Sequence, residues 1–211
     1  MGNEFNGFFF YTYIGQHPTE EKNSFLILSF NFSAVNPDIE KVAQSFEEPC
    51  EQCFQLFFKS YENILGKEFE TGIKAYSTAE ARLGYLANYC QLNNLSIYLF
   101  IDEYDNFTNT ILSQYGERKY AEITHGNGFL RMFFNKMKAG TTDVGASLKK
   151  IFITGVSPIT LDDVTSGFNI AKNITTDAQF NSIIGFTESE VIEMLTYYKD
   201  ESLINEPIDN L

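Results

Sequence analysis

Two adjacent carboxylates, Asp102 and Glu103, close the apolar run Ile97-Tyr98-Leu99-Phe100-Ile101. A run of this length reads as a buried strand. In an open α/β sheet, ligands bind outside the carboxyl ends of the strands, so the pair stands where a site would be. Apolar strand followed by Asp-Glu is the pattern of a Walker B strand. In that chemistry Asp102 belongs in the shell of a Mg²⁺ ion, which makes it both the metal and the cofactor-binding candidate. Glu103 misses the metal and orients the attacking water, a role that needs hydrogen-bond reach to the water rather than to the cation. A strand that merely stops at charged residues in solvent would carry the same two letters, so the neighbours have to decide.

A nucleotide site of this kind also uses a polar side chain at the end of the next strand to sense the terminal phosphate. Thr154 and Ser157, after the run Ile151-Phe152-Ile153, are the candidates; turn chemistry explains the same residues, since Thr before Gly and Ser before Pro are common loop pairs. The usual phosphate cradle is missing: no GxxxxGK[ST] occurs in the 211 residues. Gly140 to Ser147 has two glycines at a suggestive spacing, but it precedes a strand and has Ala146 where the cradle needs Lys, so it reads as a connection. Asp102-Glu103-Tyr104-Asp105 also spells a DExD helicase motif, but TGV follows the next strand instead of a SAT-like end. Arg118 and Arg131 read as solvated or stem-packed side chains rather than trans-acting fingers, and His125 as a turn or cap residue. Cys50, Cys53 and Cys90 lack the second CxxC or paired histidines of a zinc site; beside Phe54, Phe57 and Phe58, the first two read as small apolar groups on a helix face.

The bulk composition narrows the partners. A net charge of -13 and a pI near 4.5 repel phosphate backbones and anionic lipid surfaces, so neither nucleic acid nor membrane is an expected partner. No segment approaches the ~20 apolar residues of a membrane span, and the early run Phe8 to Ile14 lacks a basic flank. A reducing cytoplasm is the default expectation. With 44% hydrophobic residues and 21 Phe, a chain of this length can build one aromatic-rich core.

Elements that could carry the carboxylates alternate in type. Phe25 to Phe32 reads as a strand covered on both faces. Helical spacing follows from about Asp38 to Leu65, divided in two by Pro49. Ser77-Thr78-Ala79-Glu80 fits a capping box that opens a helix through Leu83, Leu86, Ala87 and Cys90, ending near Asn93-Asn94. After the strand Ile97 to Asp102 come helices over Thr108 to Gly116 and Gly128 to Lys138, then a polar connection from Ala139 to Ser147 and a strand over Ile151 to Gly155. A second capping box, Thr187-Glu188-Ser189-Glu190, opens a last helix with Val191, Ile192, Met194 and Leu195 on its apolar side. Alternating strands and helices predict an α/β fold with a mostly parallel sheet and right-handed crossovers.

Several longer words occur together and in order: YIGQHPT at Tyr13 to Thr19, FLILSFNFS at Phe25 to Ser33, IDEYDNF at Ile101 to Phe107, HGNGF at His125 to Phe129, FITGVSPITLDDVTSGFNI at Phe152 to Ile170 and GFTESEV at Gly185 to Val191. Together they resemble the bacterial AAA-ATPase-like family of P-loop ATPases. The resemblance implies a P-loop NTPase fold of the additional-strand type, a three-layer sandwich, with ATP and Mg²⁺ as ligands. It also implies a Walker A segment before residue 1, and often a helical lid and a PD-(D/E)XK nuclease-like domain after residue 211. Residues 1–211 would then be a single partial domain holding the Walker B and sensor half, unable to hydrolyse ATP by itself. The family's Walker B carboxylates fall on Asp102 and Glu103, and its sensor-like strand end on Thr154 with Ser157 nearby.

That fold orders its strands 5-1-4-3-2, and the phosphate loop grows from strand 1. The three strands readable here would be strands 2, 3 and 4, adjacent as 4-3-2, with strand 1 missing and strand 4 left as an edge. Such an edge invites pairing, so the expectation is self-association or a protein partner there, or cover from the chain's own Phe168 to Ile174. The alternative reading is a noncatalytic interaction module built on a relict ATPase fold.

Overall fold

In the computed structural model, which describes residues 12–156, 171–181 and 185–200, the chain forms two compact units, 1–168 and 169–211. The first unit runs, after a short helix α1 (Tyr13–Gln16), through β1 (Leu26–Asn31), α2 (Val42–Ser60), α3 (Glu62–Ile73), α4 (Ala79–Leu92), β2 (Ile97–Asp102), α5 (Asn106–Thr124), α6 (Phe129–Thr142) and β3 (Leu148–Ile153). All three strands are parallel, in the order β1-β2-β3. This is the adjacency expected for 4-3-2. Because the chain steps across the sheet in one direction, crossovers of the usual right hand put both sets of helices on the same face.

The register makes that face the core. Leu26, Leu28 and Phe30 pair with Ile97, Leu99 and Ile101, which pair in turn with Leu148, Ile151 and Ile153. These residues join the inner sides of α2 to α6 in one apolar cluster. The opposite face carries Ile27, Tyr98 and Lys150, then Ser29, Phe100 and Phe152, and at the C-terminal end Asn31 and Asp102. Tyr98 and Phe100 stack at 4.3 Å, and Phe25 meets Tyr98 edge-on at 6.0 Å. Lys150 lies over the Phe25 ring and pairs with Glu21.

This corrects the expectation for β1. Its residues alternate between buried and exposed, and Ile27 is 44% exposed. The run looked continuous because Ile27 is apolar, but Ser29 and Asn31 already marked the outer side. Among the described residues the first unit has a sheet and one helical layer; the third layer of the expected sandwich is not among them. The outer edge of β1 is partly covered: the Ile27 N–H donates to Tyr61 Oη at 2.9 Å.

Pro49 does not divide the helices. It lies inside α2, whose buried residues Val42, Phe46, Cys50, Phe54 and Phe57 continue one stripe across it. An interior proline costs about 3 kcal/mol. Burying each large side chain returns roughly 1.5–3 kcal/mol, and three phenylalanines span the site of the proline. The break falls at Tyr61, which joins α2 to α3. The predicted helix end at Gly116 stands: its φ of 77° and ψ of 176° are non-helical, so α5 consists of two helical stretches joined by a kink at that residue. Helix α6 extends to Thr142 and β3 begins at Leu148, so the connection between them shortens to residues 143–147.

The first capping box is also reassigned. Thr78, not Ser77, is the N-cap of α4, accepting from the Ala81 N–H. The Ala79 N–H donates instead to Glu47 Oε2 of α2 at 2.6 Å, and Glu80 Oε2 is buried without a hydrogen-bond partner. Tertiary contact thus supplies a carboxylate from another helix where the local sequence offered one of its own.

The second unit contains a 3-10 turn (Ala178–Phe180) and α7 (Glu188–Asp200). Its capping box is as predicted: the Thr187 N–H donates to Glu190 Oε2 at 2.7 Å, and the Glu190 N–H to Thr187 Oγ1 at 3.4 Å. On its apolar side Val191 and Leu195 are half-buried, while Ile192 and Met194 are exposed. The segment 168–174 lies partly outside the described residues.

Burial pushes the Glu47 carboxyl above its ordinary value of 4.5, against the lowering effects of the Ala79 N–H and the Arg82 charge. A carboxylate with a raised folded-state pKa penalises folding once it ionises; the penalty is absent below its unfolded pKa and grows as pH rises through the folded one. Glu47→Gln keeps an oxygen for the Ala79 N–H and removes the charge. Thermal melts should therefore show the variant modestly more stable than the parent at pH 8, with the two converging below pH 4.5.

Candidate functional site

Parallel strands in register end together, and the ends of these three form one row. Asp102, the last residue of β2, is exposed on the outer face. Its register partner Asn31 donates from Nδ2 to Asp102 Oδ2 at 3.0 Å. Thr154, one residue past β3, donates from Oγ1 to Asp102 Oδ1 at 2.5 Å. The sequence-predicted residues Asp102 and Thr154 are thus in direct contact. Asn31 was not predicted, although the signal was present: it ends its apolar run as Asp102 ends another.

Local structure holds each member. The Ser33 N–H donates to Asn31 Oδ1 at 2.8 Å, which turns the Asn31 NH₂ group toward Asp102. The Thr154 N–H donates to the Ile101 carbonyl at 2.8 Å, and the Thr154 carbonyl accepts from the Tyr104 N–H at 3.3 Å. Asn106 Nδ2 bonds to the Ser33 carbonyl at 3.1 Å, tying the start of α5 to the end of β1.

Glu103 adopts a left-handed conformation, with φ 56°. For a residue with a Cβ this costs roughly 1–2 kcal/mol. The sharp turn sends Tyr104 and Asp105 inward, both buried, while Glu103 itself stays half-buried beside Asp102. Strain of this kind at the end of a strand is a feature of sites that need a side chain aimed away from the regular path.

Asp105, the last acid of the DEYD word, is fully buried. Its Oδ1 accepts from the Val156 N–H at 3.0 Å and its Oδ2 from Asn109 Nδ2 at 2.8 Å. Gly155 lies between Thr154 and Val156 because nothing larger fits: a Cβ there would overlap the Tyr104 ring and sit 2.5 Å from Asp105 Oδ1. Beside the row, a cleft of about 400 Å³ runs along α5, lined by Asn106, Asn109, Thr110, Ser113, Gln114 and Val156.

The hard oxygens of the row are those of the Asp102 carboxylate and the Thr154 hydroxyl, while Asn31 presents its NH₂ group and steadies the carboxylate. Among the described residues no three His, Cys, Asp or Glu side chains group into a metal cage. A single exposed carboxylate suits Mg²⁺, which keeps several waters and takes further oxygens from substrate phosphates. The residues therefore fit the ion.

The remaining candidates separate from this row. Ser157 lies outside the described residues. His125 is the C-cap of α5, with its Nδ1 2.8 Å from Thr124 Oγ1. Arg118 is exposed and pairs with Glu122 at 3.8 Å. Cys50 and Cys90 are buried free thiols, the latter pushed up to about 12 by burial, as befits apolar fillers rather than nucleophiles.

Fold and site together define an α/β protein with a parallel sheet and a polar site at the carboxyl ends of its strands. A family model described as "Predicted AAA-ATPase" matches residues 1–165, and the chain belongs to this AAA-ATPase-like family. Membership supports an ATPase-like function in outline. No curated protein and no solved structure matches the chain. Among the described residues, no helix is long and apolar enough to cross a membrane.

The close fit at Gly155 is open to direct measurement. Gly155→Ala should lower stability by about 1–3 kcal/mol, the usual cost of overpacking, read as a shift of the urea midpoint at unchanged slope.

Proposed function

We propose that the chain carries the carboxylate half of a Mg²⁺·ATP site in an AAA-type P-loop ATPase. The observation that carries this reading is the convergence of Asn31, Asp102 and Thr154 at the strand ends, with Glu103 turned out beside them. Asp102 holds the ion, and the ion, when bound, neutralises charge across the β and γ phosphates. Glu103 accepts a proton or hydrogen bond from the attacking water and orients it. Thr154, with Ser157 as a second candidate, senses the terminal phosphate through its hydroxyl.

Most phosphate contacts in such a site come from a glycine-rich loop that these 211 residues do not contain. The chain alone therefore binds the nucleotide weakly and does not turn it over. Purified chain with Mg²⁺ and ATP should release phosphate no faster than its Glu103→Gln variant; a rate that this substitution removes would overturn the inactivity. Ion binding is tested separately with Mn²⁺ and ¹⁵N-labelled protein. The Ile101 and Thr154 amide signals should broaden on titration, and Asp102→Ala should abolish the effect.

A second feature favours a protein partner, whether or not the site is catalytic. Among the described residues β3 pairs only with β2. Since Thr154 turns its N–H toward β2, the alternate residues Ile151 and Ile153 turn their peptide groups the other way. Unlike the β1 edge, this one shows no side chain placed over it among the described residues. We propose that β3 adds a strand from a second copy or another protein, in the reducing cytoplasm where free thiols persist. Light scattering of the purified chain should then report a mass above 24.1 kDa. Ile151→Pro, which removes one outward N–H, should return the species to monomer; a monomeric parent chain would count against self-association.

A further inference from the structure

A carboxylate withdrawn from water costs several kcal/mol unless it is hydrogen-bonded, so the complete burial of Asp105 calls for a reason. Helix capping does not provide it. Asp105 occupies the N-cap of α5, yet its side chain makes no capping hydrogen bond, and an exposed Ser or Asn would cap as well. The carboxylate is turned instead toward the chain leaving β3.

We propose that Asp105 is a positioning residue for the ion site: it clamps the segment after β3 to the turn after β2 and so fixes where the Thr154 hydroxyl meets Asp102. The inference rests on the reading of Asp102 as the ion-holding group. Three contacts make the clamp. Asp105 Oδ1 takes the Val156 N–H, two residues beyond Thr154. Oδ2 takes Asn109 Nδ2 from the first turn of α5, which anchors the carboxylate to a helix. Gly155 leaves room for both chains to touch. Thr154 is held on its other side by Ile101 and Tyr104, so the clamp removes its remaining freedom to swing away from Asp102. Partners one step removed from the ligands commonly change ion affinity by about 10–100-fold. Here the effect travels through the backbone.

The Mn²⁺ titration tests the clamp. Asp105→Ala removes both acceptors, so the hydrogen bonds from Val156 and Asn109 are both lost. Affinity read from the Thr154 signal should fall about ten-fold, with the far-ultraviolet dichroism unchanged. The double variant Asp105→Asn/Asn109→Asp exchanges donor and acceptor between the two side chains and leaves an oxygen for the Val156 N–H. It should recover most of the loss, which general destabilisation would not. Parent-like affinity in Asp105→Ala, or a double variant no better than the single, overturns the proposal. If Asp105→Ala does not fold, Asn109→Ala removes one anchor from the half-exposed side, and it should weaken binding in the same sense; unchanged affinity there also overturns it. Mn²⁺ broadening in the parent that survives Asp102→Ala would instead overturn the site reading itself, and the clamp with it.

Discussion

The register of three parallel strands is the constraint on which the rest depends. Ile101 pairs with Phe30 on one side and Ile153 on the other, so the residues that follow, Asn31, Asp102 and Thr154, finish at one level. A slip of one residue in either pairing would exchange the two faces of that strand. Leu28 or Ile151 would then face outward and the polar row would point into the core. The hydrophobic pattern that builds the core is therefore the same pattern that assembles the site.

The site rests on aromatic packing directly below it. Phe30 meets Phe54 and Phe133 edge-on at 5.4 Å, and Phe46 meets Phe32, Phe129 and Phe133 at 4.9 to 5.4 Å. Phe107, two residues after Asp105, joins the same group through Phe46 and Phe129. Such ring contacts each add about 0.5–1.5 kcal/mol beyond area burial. They fix the starts of α2, α5 and α6 against the strand ends. A rigid floor under the turn makes it possible for Glu103 to hold a left-handed conformation and for Asp105 to stay buried.

The two edges of the sheet are treated differently, and so are its faces. Tyr61, at the end of α2, takes the outward Ile27 N–H of β1, a common way to blunt an edge, whereas β3 has no such cover among the described residues. Among the described residues, one face packs against the apolar sides of α2 to α6. The other carries Tyr98, Phe100 and Phe152, half-buried, leading up to Asp102. Asp102 and Thr154 lie at the end of this second face, so whatever covers these rings also flanks the Asp102 carboxylate.

Much of this was legible along the chain. The apolar run ending at Asp102 and Glu103, the strand before Thr154, the capping box at Thr187 to Glu190 and the family resemblance are local patterns, set by hydrophobic periodicity and by side chains that reach only a few residues. What the chain did not reveal are relations between distant residues. Pro49 suggested a break that the buried stripe of α2 overrides. Ser77 and Glu80 suggested a box that Glu47, 32 positions from Ala79, replaces. Asn31 and Asp105 had no evident partners until folding brought one 71 positions to Asp102 and the other 51 positions to Val156. The sequence by itself determined which segments are strands, because that depends on neighbours along the chain. Only the tertiary structure decided which ends meet, since a hydrogen bond between two strands depends on register and burial that no local pattern encodes.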